Sequence, residues 1–356
     1  MPSARLRSKK SNWQPDLWAA AVTAFQYLSK GNAMKLSRRQ FMHLAAGAAA
    51  LPIVTRFARA QAYPARPVRI IASNPAGSSP DLVARLVGRR LSDRLGQQFV
   101  VENQPGADTN IDTEMVVRAP ADGYTLLLTT TTNAINATLY PNFNFNFIRD
   151  IAPVASIGRT PVVMAVNPSL QAKTLPDFIA YAKANPGKIN FASSGNGTPL
   201  HLAGELFKMM SGVELVHVPY HSSYMPDLLG GQVQVVFTTI PSVIEYIRTG
   251  KLRALAVASA TRSDTLPDVP TVGEFVPGYE ASAWYGLSAP KSTPTEIIET
   301  LNRATSAAVA DPNMKSRLVG LGAEPMSMTP AEFGKFMFDE TEKWGKVIRA
   351  ANIKPE

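Results

Sequence analysis

The 356-residue chain contains no cysteine, which excludes disulfides, thiolate metal sites and cysteine nucleophiles. Histidine is scarce: beyond residue 60 there are only His201, His217 and His221, with no H-x-x-x-H or H-E-x-x-H pair among them. Spaced metal ligands of the zinc-enzyme kind are therefore missing. Neither of the two Gly/Ser-rich loops is followed by the lysine of a phosphate loop. After Gly195 and Gly197, the third glycine position of a dinucleotide fingerprint is Leu200. Nucleotide cofactors are thus disfavoured, and no cofactor is expected. Long apolar runs are also absent: the segment from Leu44 to Val54 is far below the ~20 residues of a bilayer-spanning helix.

The formal charge of +9 invites a nucleic-acid reading, but it is concentrated at one end. Residues 1–60 hold ten of the 36 basic residues and one of the 27 acids. The remaining chain is therefore balanced and has no field to gather phosphate backbones. Within the basic end, "MKLSRRQFMHLAAGAAALPIVTRFARA" (34–60) reads as a cleaved signal peptide: charged start, short apolar segment, and Ala58-Arg59-Ala60 before the cut. Ser37-Arg38-Arg39-Gln40-Phe41 has the form of a twin-arginine export motif. Translation starting at Met34 would make residues 1–33 extraneous. The mature chain is expected to begin near Gln61 in the periplasm, an exported protein large enough to need no disulfide staple.

Along that mature chain, β-branched runs such as "VRIIAS" (68–73), "QFVVEN" (98–103), "GYTLLLTT" (123–130), "PVVMAVN" (161–167) and "VQVVFTT" (233–239) alternate with helix-like segments. This predicts an α/β fold of mostly parallel sheets flanked by helices. Four helix starts share a Ser/Thr-Pro opening, with the hydroxyl as N-cap. "TPTE" (293–296) and "TPAE" (329–332) add a glutamate that completes a capping box. "SPDL" (79–82) and "TPLH" (198–201) do not, and both follow Gly/Ser-rich loops, "NPAGSS" and "SSGNG". The contrast predicts two helix N-termini filled internally and two open to an outside anion. Asp81 tempers it, being able to cap its own helix.

Catalytic chemistry is not evident. "SSGNG" is not a nucleophile elbow, and pairing Ser194 with His201 leaves no orienting acid. His217, within a strand pattern, reads as a satisfied core or edge histidine. His201, at a helix start, reads as a possible donor to a ligand carboxylate. What remains is binding by neutral donors in three post-strand segments: Gly77-Ser78-Ser79, Thr129 to Asn133 (with Thr131 and Asn133), and Ser193 to Thr198. The ends of parallel strands are where open α/β sheets take ligands.

The stretches "RPVRIIASNPAGSSPDLVARLVGRRLSDRLGQQFVVENQPGADTNI", "APADGYTLLLTT", "YAKANPGKINFASSGNGTPLHLAGELF", "DLLGGQVQVVF" and "LPDVPTVGEFVPGYEASAWYGLSAP" together resemble the tripartite tricarboxylate transporter receptors, the Bug-type periplasmic solute-binding proteins. The resemblance implies a two-lobed periplasmic binding protein (Venus-flytrap) fold, with lobe one at 61–162 plus 288–356 and lobe two at 163–287. It implies a monomeric, non-enzymatic receptor that captures a small organic carboxylate and hands it to membrane permease subunits. A ligand-sensing adaptor is the alternative with the same site, and an α/β enzyme a third. The family's gripping loops map onto Ala76, Gly77, Ser78 and Ser79, and onto Ser194, Gly197, Thr198 and His201. Three departures are visible: Ser78 replaces a second glycine, "HSSYMP" shortens the link after "VPY", and Thr238 stands where an aspartate often helps choose the ligand.

Overall fold

A computed structural model describes residues 63–103 and 109–355; the leader and the export signals read in it lie outside the described residues. Ten strands form one sheet in the order β2-β1-β3-β9-β4-β7-β5-β6, with β10 and β8 added on β4. The first group comprises β1 (Val68–Ala72), β2 (Phe99–Asn103), β3 (Thr125–Thr130) and β9 (Ser282–Pro290). Next comes β4 (Ile151–Val166), joined by β7 (Val235–Thr239), β5 (Ile189–Ser193), β6 (Leu215–Pro219) and β8 (Arg253–Val257), with β10 (Glu324–Pro325) on its first half.

The α/β class is therefore present, but the pairing is mixed rather than mostly parallel. β1 runs parallel to β2 and β3, and β5 to β6 and β7. Every pairing of β4 and β9 is antiparallel. Sequence alternation could not show this, because β4 reads as a strand only from Pro161 onward. Its first ten residues carry Pro153 and Gly158, which ordinarily mark a bulge or an edge. Here they sit at register shifts of the β4–β9 ladder. Gly158 is required because the Glu324 carbonyl lies 2.7 Å from where a Cβ would stand.

Helices cover both faces. In chain order they are α1 (Ser79–Leu95), α2 (Thr109–Val117), α3 (Thr131–Leu139), α4 (Phe147–Asp150), α5 (Leu175–Ala184) and α6 (Pro199–Ser211). They continue with α7 (Met225–Gly230), α8 (Ile240–Arg248), α9 (Thr295–Ala310), α10 (Pro312–Gly320) and α11 (Pro330–Ala350). Sequence reasoning left α3, α4 and α7 as loop. α3 begins midway through a run of four threonines, Thr129 to Thr132, which reads as a turn until a neighbouring side chain fixes the start. Along α1, buried Val83, Ala84, Val87 and Leu91 recur at helical spacing. One apolar cluster then runs from Ile71 and Leu127 through Trp284 and Met337 to Phe178, Phe207 and Phe237, tying both strand groups into one core. Where α11 meets β9, the buried Glu340 carboxylate accepts the indole N–H groups of both Trp284 and Trp344, each at 3.0 Å.

Candidate functional site

Four junctions follow the C-terminal ends of parallel strands: β1 into α1, β3 into α3, β5 into α6 and β7 into α8. All the candidate ligand-contacting residues lie on them, whereas His217 lies within β6. At the first, Ala76, Gly77 and Ser79 are exposed and Ser78 half-buried. Gly77 has φ +83°, the left-handed region that favours glycine, with open space around it. Its N–H is not free: it donates to Asp81 Oδ2 at 2.8 Å. Asp81 is 1% exposed and also accepts from Arg85 Nε and from Asn103 Nδ2. Burial alone would raise its pKa, but these three donors outweigh burial and hold the carboxyl below its usual range. The N-cap is Ser78 rather than Ser79, and Ser78 donates both its N–H and its hydroxyl to the Pro75 carbonyl.

The second junction is built in the same way. Gly197 has φ +70°, and its N–H donates to His201 Nδ1 at 3.1 Å. Thr198 caps its own helix, its Oγ1 accepting from His201 N at 3.3 Å while the hydroxyl donates to the Gly195 carbonyl. The expectation of two open helix N-termini is therefore corrected at α6, which Thr198 caps, while α1 has no side-chain cap although Asp81 fills the loop before it. In each case the residue four positions on turns back and takes the glycine N–H. The matching expectation for the filled ends holds once. Thr329 and Glu332 form a capping box, whereas Thr293 donates its hydroxyl to the Pro290 carbonyl and leaves its helix without a side-chain cap.

His201 is likewise corrected as a donor to a ligand. It is 3% exposed, and because Nδ1 accepts, the ring proton lies on Nε2, which faces Glu205 Oε1 at 3.7 Å. Its ring stacks on His217 with centroids 3.6 Å apart and planes 9° from parallel. His217 in turn meets Ser193 Oγ at 2.7 Å, the satisfied histidine that its strand position suggested. This Ser193–His217 contact is not a hydrolytic dyad, because Ser193 is fully buried beneath its own turn. Ser194, the serine considered for that role, is exposed, and the His201 ring nitrogens face Gly197 and Glu205.

Burial, followed by the neighbouring His201, depresses the His217 pKa from 6.5 to about 4. A base with a depressed folded-state pKa stabilises fully above its unfolded value, and that contribution is lost as pH falls from 6.5 through about 4. Discounted for partial exposure, the loss is about 2 kcal/mol. Urea unfolding at pH 7 and pH 4 should show it in the wild type, and His217→Gln should remove that share of the difference. An unchanged pH difference in the variant would contradict the assignment.

At the other two junctions the side chains are committed inward. Thr131 is 1% exposed and its Oγ1 accepts the Trp284 N–H at 2.9 Å. Asn133 accepts the Thr130 N–H at 2.8 Å and donates to Thr113 Oγ1 at 2.9 Å, which fixes the start of α3. Thr238, 1% exposed, shares a 2.6 Å hydrogen bond with the Tyr224 hydroxyl. α3 also touches the second loop, since a Cβ on Gly197 would lie 2.4 Å from Leu139 Cδ2. The structure thus brings the Thr131–Asn133 helix and the Gly197 loop together. Two cavities among the described residues are well defined, and the smaller reaches the β3–α3 junction through Asn133. One of about 210 Å³ is lined by Pro161, Ile240, Pro241, Val319 and Glu324. Another, of about 90 Å³, is lined by Asn110, Asn133, Asn136 and Tyr140.

Three groups were missed by sequence reasoning. Ser73 Oγ, Asn110 Nδ2 and Asp112 Oδ2 are buried without a hydrogen-bond partner among the described residues. Asp112 in a first helical turn looks like ordinary dipole compensation, and no sequence signal distinguishes it. Among those residues no three His, Asp or Glu side chains gather as a metal site.

Comparison with known proteins gives these junctions their context. Residues 83–353 match the model of the tripartite tricarboxylate transporter family receptor. The chain is 39% identical to Protein BugT of Bordetella pertussis over 300 residues, 83% of this chain and 92% of that one. The solved structure of R. palustris Rpa4515 with adipate is 35% identical, with a TM-score of 0.70, covering 83% of this chain and 100% of that one. MatC from Rhodopseudomonas palustris with bound malate is 29% identical, with a TM-score of 0.66, over 80% and 100%. With the family model spanning both strand groups, the chain belongs to the tripartite tricarboxylate transporter receptor family of periplasmic solute-binding proteins.

Proposed function

We propose that this receptor captures a small organic carboxylate between two lobes and delivers it, as a monomer, to the permease subunits of a tripartite transporter. The observation that carries this reading is the end-to-end match to the adipate-bound relative, which this chain covers completely. Lobe one would be 61–162 plus 288–356 and lobe two 163–287. Residues 282–287 fit lobe one better, because all of β9 pairs with β3 and the first part of β4.

Since Asp81 and His201 take the glycine N–H groups, the ligand oxygens would be met by other neutral donors. The exposed hydroxyls of Ser79 and Ser194, one per loop, suit that role, with Ala76, Gly77, Ser78, Gly197 and Thr198 shaping the turns around them. Neutral donors solvate a carboxylate without the desolvation cost of a buried Lys or Arg. Binding would act by population shift: a ligand that bridges the lobes favours the closed form, which the permease then recognises.

Thermal-shift titration of the mature protein with mono-, di- and tricarboxylates tests the reading. A ligand at a hundred times its Kd should add about 2.7 kcal/mol to the folded state. Ser79→Ala and Ser194→Ala should each weaken binding several-fold with little change in unliganded stability. Thr198→Val should also cost about 1 kcal/mol as a lost cap. Stabilisation by nucleotides and by no carboxylate would reject the proposal.

A further inference from the structure

The β5–α6 junction is held by polar contacts that run in a closed circuit. Ser193 Oγ donates to the Gly195 carbonyl at 3.1 Å and accepts the Gly195 N–H at 3.2 Å. A hydroxyl has one proton to give and can accept two, so its 2.7 Å contact with His217 Nε2 is completed by an N–H from the ring. The Gly195 carbonyl also accepts the Thr198 hydroxyl, Thr198 Oγ1 accepts the His201 backbone N–H, and His201 Nδ1 accepts the Gly197 N–H. The circuit closes where the His201 ring lies flat on His217, with centroids 3.6 Å apart. Glu205 stands 3.7 Å from His201 Nε2 and pairs with Lys208 at 2.8 Å, which favours the tautomer whose Nδ1 accepts. Exposure along the loop follows the circuit. Ser193, Gly195 and Gly197 are buried within it, and Ser194 and Asn196 are exposed between them.

We propose that His217 and His201 are positioning residues, which together hold the Ser193–Thr198 turn in the shape that keeps Ser194 and Asn196 exposed for a ligand. His217 acts through Ser193 and His201 through Gly197, so neither ring needs to touch the ligand. This rests on the carboxylate-receptor reading and deepens it, by naming what orders the second loop before capture. A loop already ordered loses less freedom when it binds. Packing alone does not call for histidine here. Two stacked phenyl rings would fill the same space beside Phe191, 4.9 Å from His217, without supplying the donor or the acceptor.

Three variants separate positioning from packing. His217→Gln keeps an N–H donor and gives up the ring, His217→Phe keeps the ring and gives up the donor, and Ser193→Ala removes the relay. Amide hydrogen exchange at Gly195 and Gly197, read by NMR on the unliganded protein at pH 7, reports the turn without a ligand. Core amides of β7 serve as the reference for any global change. His217→Phe and Ser193→Ala should each speed exchange at Gly195 about three- to tenfold, the contribution of one hydrogen bond, while His217→Gln stays within about twofold of wild type. His201→Phe should produce the same acceleration at Gly197. Calorimetric titration with adipate and with malate should show affinity falling in the same variants and by similar factors. A wild-type rate in His217→Phe beside a loosened turn in His217→Gln would mean that the rings only pack, and the inference would fall. It would fall equally if exchange followed the expected order while every variant bound these acids as tightly as wild type. If exchange follows that order and no carboxylate binds the wild type, the receptor reading fails and the hold on the turn stands.

Discussion

Glu340→Ala is expected to lower the free energy of unfolding by about 3–5 kcal/mol, since breaking a buried charged network leaves its partners uncompensated. One carboxylate oxygen holds the indole N–H groups of Trp284 and Trp344, and Lys343 pairs with the other oxygen. Trp284 is fully buried and Trp344 nearly so, so truncation leaves two donors with no water to turn to. Each orphaned donor costs about 1–3 kcal/mol. Glu340→Gln keeps an acceptor oxygen and should recover part of the loss. Urea denaturation of the three proteins, compared at constant m-value, measures it. A cost for Glu340→Ala below about 1 kcal/mol would mean that the tryptophans find other partners.

Gly197→Ala should cost about 3 kcal/mol and impair ligand capture at the same time. Two effects combine there: φ of +70° disfavours any side chain, and the added methyl would stand 2.4 Å from Leu139 Cδ2. The left-handed conformation accounts for about 1–2 kcal/mol, and overpacking against α3 for about 1–3 kcal/mol. Leu139→Ala on the same background separates them. It relieves the overlap and leaves the backbone strain, so the double variant should be less destabilised than the two single costs together. Strict additivity would show that α3 does not press on this loop.

The alternation of strands and helices was readable because β-branched runs and helical apolar spacing are local properties. The sites where reading failed depend on partners distant in sequence. The first half of β4 hides behind Pro153 and Gly158, which are tolerable only because β9 and β10 meet them at register shifts. α3 looked like a loop until Asn133 was seen to hold Thr130. The helix caps were judged from spacing, yet spacing does not say which way a side chain turns. His201 and Asp81 turn back onto glycine N–H groups, while Thr293 turns to a carbonyl instead of its own helix. Asp112 was invisible for the same reason: its burial is a property of the assembled fold.

β4 is one uninterrupted ribbon serving two neighbourhoods, aligned with β9 through Pro161 and with β7 from Val162 onward. Pro161 has a locked φ and no N–H to donate, so the ladder is thinnest at the handover between them. In the proposed capture, rotation of one neighbourhood against the other would load β4 as torsion, concentrated at the point where it breaks the fewest hydrogen bonds.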